Sequence, residues 1–229
     1  INLFEYYKSS FHKAVCVEDI MKQLDLLQDY SLHIPKRDSK DLCVIQFSSG
    51  STGAPKGDML SFNNILTNLK IKTLADEITT EDTLIHWMPY FHDYGLFGNH
   101  LVCLYNQITE IKIEPCSFLR DPLIFLKKIS EYQVSICGGT TPSGLDLLIQ
   151  KLEQSNDIKE LDLSQVKTLS IGAEMVPSNL YVRLSPLFQL GFNRNAFRPS
   201  YGMAETTLIV SSCLPGYGNK NIRINREAF

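Results

Sequence analysis

The chain has 229 residues, room for one substantial core or two small ones, and its 44% hydrophobic and 21% charged residues are ordinary for a globular protein. Lys plus Arg number 22 against 25 Asp plus Glu, a net charge of −3, so no basic excess exists to neutralise a phosphate backbone and no nucleic-acid partner is expected. No apolar run approaches the length of a membrane span, and residues 1–20 lack the pattern of a secretory leader.

In chain order, residues 42–47 (LCVIQF) read as a short buried strand, followed by a Gly-, Ser- and Thr-rich loop over 48–57. The pattern predicts a helix over 62–75, with Ser61 placed to accept a hydrogen bond from its first free amides. A strand over 83–87 is halted by Pro89, residues 94–106 are helix-compatible, and 108–113 alternates as a strand does. Asp121 and Pro122 open a helix over about 122–132. A strand over 134–137, a turn-rich loop over 138–144, a helix over 143–154 and a strand over 166–171 follow. Pro177 opens another helix that Pro186 should bend or shorten, and an extended stretch over 196–200 leads into Tyr201 and Gly202. Strands alternating with helices predict an α/β fold with a largely parallel sheet flanked by helices. The weakest linkers are 36–40 and 216–226, which leaves one domain. Six cysteines, at 16, 43, 103, 116, 137 and 213, form no C-x-x-C pair, and most sit in apolar runs. They read as small core residues in a reducing, cytoplasmic setting.

Chemistry enters at Ser48-Ser49-Gly50-Ser51-Thr52-Gly53-Ala54-Pro55-Lys56-Gly57. Glycines let backbone N–H groups turn towards an anion, the hydroxyls add donors, and Lys56 brings a mobile positive charge suited to phosphate oxygens. A Walker A loop requires Gly-Lys-Ser/Thr, whereas Pro55 precedes Lys56 here, so an ordinary P-loop NTPase is excluded. Asp58 places an acid beside this loop, an unfavourable neighbour for phosphate.

This loop resembles the signature phosphate loop of the adenylate-forming superfamily, which includes acyl-CoA synthetases, luciferases, peptide-synthetase adenylation domains and fatty acyl-AMP ligases. Trp87-Met88-Pro89-Tyr90-Phe91-His92-Asp93-Tyr94-Gly95-Leu96 resembles its second block, and Tyr201-Gly202-Met203-Ala204-Glu205-Thr206-Thr207 its third. Between them, Gly172-Ala173-Glu174 is similar to the adenine-side turn. The resemblance covers about 42–213 and makes residues 1–229 part of an AMP-binding (adenylation) domain. The His-Asp-x-Gly-Leu form, Ala204, and Glu114-Pro115 with the stretch from Phe118 to Pro122 point to fatty acyl-AMP ligases and polyketide or nonribosomal-peptide loading domains.

The resemblance implies a ligase that uses ATP and Mg²⁺ to convert a fatty acid, or another carboxylic acid, to acyl-AMP with release of pyrophosphate. The acyl group would pass to the thiol of an acyl carrier protein, or to CoA if the branch is an acyl-CoA synthetase. It implies that Ser49, Gly50, Ser51, Thr52, Gly53 and Lys56 cradle the β- and γ-phosphates, and that Glu205 binds Mg²⁺. It further implies that Thr206 reaches the α-phosphate, and that Tyr201, with Gly202, Met203 and Ala204 behind it, and Gly172, Ala173 and Glu174 hold adenine. The resemblance places His92 beside the reacting carboxylate, although a His-Asp pair read alone favours a structural histidine packed under the loop. Glu174 has a competing role as an acid at the start of the helix opened by Pro177, and His86 and His100 read as core or surface residues. Thr140-Thr141-Pro142 departs from the family pattern where an acyl tunnel would run. The later ribose-binding block and the C-terminal lid domain with its lysine are not found. A module that binds nucleotide or acyl-adenylate without turnover is therefore the competing function, and apolar surface is expected where absent parts would pack.

Overall fold

The computed structural model describes residues 36–48, 56–155, 160–214, 216 and 225. The chain divides into two compact units, Ile1–Arg37 and Asp38–Phe229, with the boundary inside the expected 36–40 linker; every element below belongs to the second.

That unit opens with an antiparallel hairpin of β1 (Leu42–Ser48) and β2 (Lys56–Ser61), in which Ile45 faces Met59 and Ser48 faces Lys56. The expected buried strand is corrected here. Alternation sends Leu60 inward at 3% exposure, but Ile45, Phe47 and Met59 outward at 48%, 68% and 73%. A two-stranded ribbon has only one face to bury. The next element, α1 (Phe62–Ala75), starts where its cap predicts: Asn64 N donates to Ser61 Oγ at 3.2 Å, and Ser61 N donates to Asn64 Oδ1 at 2.9 Å.

Then follow β3 (Thr83–His86), α2 (Asp93–Gly95) running through a π-helical stretch Leu96–His100 into α3 (Leu101–Asn106), and β4 (Thr109–Lys112). Next come α4 (Pro115–Arg120), α5 (Leu123–Tyr132), β5 (Ile136–Thr140), α6 (Pro142–Glu153) and β6 (Thr168–Ile171). The last elements are α7 (Leu180–Arg183), α8 (Ser185–Phe188), β7 (Phe197–Gly202) and β8 (Ile209–Ser212). Where a single helix from Pro177 is expected, the chain makes a turn and two short helices. Pro186 sits in the first turn of α8, where its missing N–H costs nothing.

The strands after β2 form one sheet in the order β4-β3-β5-β6-β7-β8, parallel throughout except for β8. Successive strand residues enter opposite layers. Ile85 and Cys137 join Phe118, Phe125, Leu126, Leu148 and Phe197 on one side, while Leu84 and Ile136 join Leu60, Ile65, Leu69, Phe97 and Leu208 on the other. The expected α/β architecture with a largely parallel, helix-flanked sheet is present. Five described cysteines are free thiols, and Cys103 and Cys137 are core residues as expected. Cys43 and Cys116 are exposed instead, since each falls on an outward position of a short element.

Candidate functional site

Three loops meet at the C-terminal ends of the parallel strands, where α/β sheets commonly place ligands. One leaves β3 and carries His92, one leaves β6 at Gly172, and one leaves β7 at Gly202. Between them lies a cleft of about 220 Å³ lined by His92, Tyr94, Ser170, Ala173, Tyr201 and Lys72, among others. Gly172 and Gly202 line it too. A Cβ on Gly172 would stand 2.9 Å from Ser200 O, so only glycine lets the β6 loop lie against β7.

His92 caps α2, with Nδ1 2.7 Å from Asp93 Oδ1 and 3.1 Å from Tyr94 N. Nδ1 without a hydrogen accepts from the Tyr94 amide; Nδ1 with one donates to Asp93, and the Tyr94 amide is then served by Asp93 Oδ1 at 2.6 Å. The bond to Asp93 raises the pKa of His92, and the accompanying burial opposes this only in part.

Its segment is held from below by an acid the sequence reading did not single out. Glu110 on β4 takes His86 Nε2 and His100 Nδ1 at 2.7 Å each, and accepts from Tyr90 OH at 3.0 Å. Burial pulls the pKa of His86 down against Glu110, and burial together with Glu110 pushes the Tyr90 phenol up to about 12. His86 and His100 are thus hydrogen-bond partners of one acid on β4. The local cue is an acid in an alternating strand; its partners lie 10 and 24 residues away.

Tyr201 is 58% exposed and lines both this cleft and a shallower one of about 430 Å³ bounded by Glu174, Met175 and Val176. Both oxygens of Glu174 are engaged at the start of α6, Oε1 accepting from Ser143 Oγ at 2.5 Å and Oε2 from Ser143 N at 3.1 Å. It is a helix-start acid, but for α6 and not for the segment that Pro177 opens.

Beyond Gly202 the chain turns tightly, with Met203 N donating to Leu208 O at 2.8 Å and Thr207 held at φ 74°. Met203, Ala204, Glu205 and Thr206 lie on this turn outside the cleft lining, with Glu205 exposed and Thr206 Oγ1 donating to Met203 O at 3.0 Å. Asn68 of α1 clasps the turn: Nδ2 donates to Thr206 O at 3.1 Å and to Ile209 O at 3.2 Å, and Oδ1 accepts from Ile209 N at 3.3 Å. Lys56 is exposed at the start of β2, opposite Ser48. Ser49, Gly50, Ser51, Thr52 and Gly53 lie outside the described residues. Asp58 shares the inward face of β2 with Leu60, and its Oδ2 is buried without a hydrogen-bond partner among the described residues.

The family model of AMP-binding enzymes matches residues 8–226. The chain belongs to the AMP-binding enzyme family. It is 30% identical over 204 residues to a 4-hydroxyphenylalkanoate adenylyltransferase of Mycobacterium tuberculosis, covering 87% of this chain and 32% of that protein. It is 33% identical over 195 residues to the medium-chain-fatty-acid–acyl-carrier-protein ligase JamA of Moorena producens, covering 85% and 33%. The crystal structure of a fatty acid AMP ligase from Legionella pneumophila superimposes with a TM-score of 0.78 at 34% identity, covering 90% of this chain and 35% of that one. The chain therefore spans about a third of the length of these relatives. No described helix is long and apolar enough to cross a membrane.

Proposed function

We propose that the protein joins a carboxylic acid, a fatty acid in the broad sense, to AMP from ATP and passes the acyl group to the thiol of an acyl carrier protein. The observation that carries this reading is the convergence of His92, Gly172, Ala173 and Tyr201 on one cleft at the strand ends. In the reaction a carboxylate oxygen bonds to the α-phosphorus of ATP while the bond from that phosphorus to pyrophosphate breaks. Both reactants are anions, so the chain must hold them together against repulsion. His92, half exposed at the cleft, donates a ring N–H to the carboxylate, and Asp93 keeps the ring oriented. Tyr201 offers a ring face to adenine, and Gly172, packed against β7, sets the β6 loop along the cleft beside it. Lys56 and the hydroxyls of Ser49, Ser51 and Thr52 neutralise the departing pyrophosphate.

Glu205, an exposed carboxylate on the β7–β8 turn, fits a hard divalent cation and would hold Mg²⁺, which supplies charge neutralisation on the phosphates. The relatives named as ligating a fatty acid to acyl carrier protein or to AMP support the substrate class and acceptor.

The test is ATP–pyrophosphate exchange by the full-length protein with a panel of carboxylic acids. Carboxylate-dependent exchange is expected, reduced about 10-fold or more by Lys56→Ala and by His92→Ala. A protein that binds AMP but exchanges no pyrophosphate with any acid is a nucleotide-binding module, and the proposal fails.

A further inference from the structure

The cleft changes character with depth. At its mouth the His92 side chain is 44% exposed and Tyr201 58%. At its base stand Tyr94, Ser170 and Lys72, exposed to 5%, 2% and 2%. The Lys72 ammonium is paired with Asp76 one turn further along α1, itself 1% exposed. An ammonium has three N–H groups, and among the described residues Asp76 is the one hydrogen-bond partner of Lys72 Nζ. Tyr94 OH, 3.1 Å from both Ser170 O and Ser170 Oγ, donates to Ser170.

Such a floor is a poor end-wall for a hydrocarbon tail. A methyl terminus lodged against it would strip water from the unfilled N–H groups of Lys72 without replacing the bonds. A terminal oxygen would fill one of them by accepting from Lys72, and a hydroxyl there would also reach Ser170 Oγ as an acceptor. Burial works to lower the pKa of Lys72, but Asp76 and its hydrogen bond outweigh this and raise it, so the donor stays protonated at neutral pH. Burial pushes Tyr94 up, so the phenol stays neutral.

We propose that Lys72, with Tyr94 and Ser170, selects carboxylic acids whose far end carries an uncharged oxygen, a hydroxyl or a carbonyl. This rests on the proposed adenylation with the carboxyl end at His92, and it takes the acyl chain down this cleft towards Lys72 and not past Thr140-Thr141-Pro142, which do not line it. Asp76 already balances the charge of Lys72, which favours a neutral oxygen over a second carboxylate. Sites built to hydrogen-bond a substrate group reject analogues lacking it far more strongly than apolar pockets sort chain lengths.

The test is pyrophosphate exchange by the full-length protein on a ladder of acids. Each chain length is offered in three forms, methyl-terminated, hydroxyl-terminated and keto-terminated. At the best length the oxygenated acid is expected to exceed its methyl-terminated twin about 100-fold in kcat/KM. Equal or better activity with methyl-terminated acids overturns the inference and leaves adenylation standing. No exchange with any acid overturns adenylation itself, and the inference with it. Lys72→Met alone strands a buried carboxylate, so the informative variant is Lys72→Met with Asp76→Leu, which removes both charges together. It should abolish the preference mainly through KM for the oxygenated acid, and Tyr94→Phe should weaken it. A preference that survives both changes makes the pair purely structural and overturns the assignment.

Discussion

Asn68 holds, from a distant helix, the turn on which the proposed Mg²⁺ ligand Glu205 lies. Three hydrogen bonds from α1 hold the backbone of the turn that carries Glu205 and Thr206, and Asn68 is only 7% exposed. Asn68→Ala leaves two carbonyls and one amide without their partner, so it should destabilise the chain by about 2–4 kcal/mol in urea unfolding. In exchange assays it should lower kcat beyond what lost stability explains, because the turn would no longer be held; unchanged kcat would free the turn from any need of Asn68. His92 belongs to the same scale. Its folded pKa lies above the ordinary 6.5 because Asp93 favours the charged ring. That contribution to stability is fully present below pH 6.5 and is lost as pH rises through the folded value. NMR titration of the ring should give a pKa above 6.5 that falls in Asp93→Asn; equal midpoints in the two proteins would remove Asp93 as the cause. His92, Gly172 and Tyr201 were legible in the sequence because each sits in a block with a spacing of its own. Asn68 was not, since its partners are 138 and 141 residues distant and an asparagine inside a helix has no local signature.

At the scale of elements, the placing of α2 depends on contact between backbones. A Cβ on Gly95 would fall 2.1 Å from Pro89 O and 2.7 Å from Pro89 C, so α2 lies directly on the segment leading to His92. Because backbone cannot give way as a flexible side chain does, Gly95→Ala should cost about 1–3 kcal/mol, read as a lower midpoint in thermal unfolding. A parallel drop in exchange activity is expected from displacement of His92, and a variant with native stability and activity would refute the contact. The π-helical stretch beyond it has a similar origin. Asn99 Nδ2 donates to Tyr94 O at 2.7 Å, and Gly138 leaves space for Asn99 Oδ1, which would stand 1.9 Å from a Cβ there. Sequence periodicity found α1, α5 and α6 within a residue or two, because each has a cap or a proline start and an apolar stripe. It missed β2, whose Lys-Gly-Asp-Met-Leu-Ser has no strand alternation and is ordered by pairing with β1. It missed α4 as well, a six-residue helix whose Pro115 start was overshadowed by Asp121 and Pro122.

For the molecule as a whole, strand order is what brings the distant blocks together. With β3, β5, β6 and β7 adjacent and parallel, loops leaving near residues 87, 172 and 203 emerge on one edge of the sheet, which no local pattern could foretell. The same architecture leaves the hairpin with an outward apolar face, since Leu60 and Val44 are the residues packed on the core. Ile45 and Phe47 both flank Gly57, whose Cβ would meet them at 2.9 and 3.4 Å, and Met59 faces Ile45, so the three exposed side chains form one continuous patch. A net charge of −3 on 229 residues supplies little repulsion to keep such faces apart. The chain should therefore associate with itself through this hairpin at micromolar or higher concentration, and more strongly in high salt. Replacing Phe47 and Met59 together by lysine puts charge on a ribbon face without touching the buried Leu60 side. In sedimentation velocity over a concentration series, the unmodified chain should shift to larger species, while the double variant stays at the mass of one chain with its unfolding midpoint unchanged. Identical concentration dependence in both proteins would place the sticky surface elsewhere and leave the hairpin face inert.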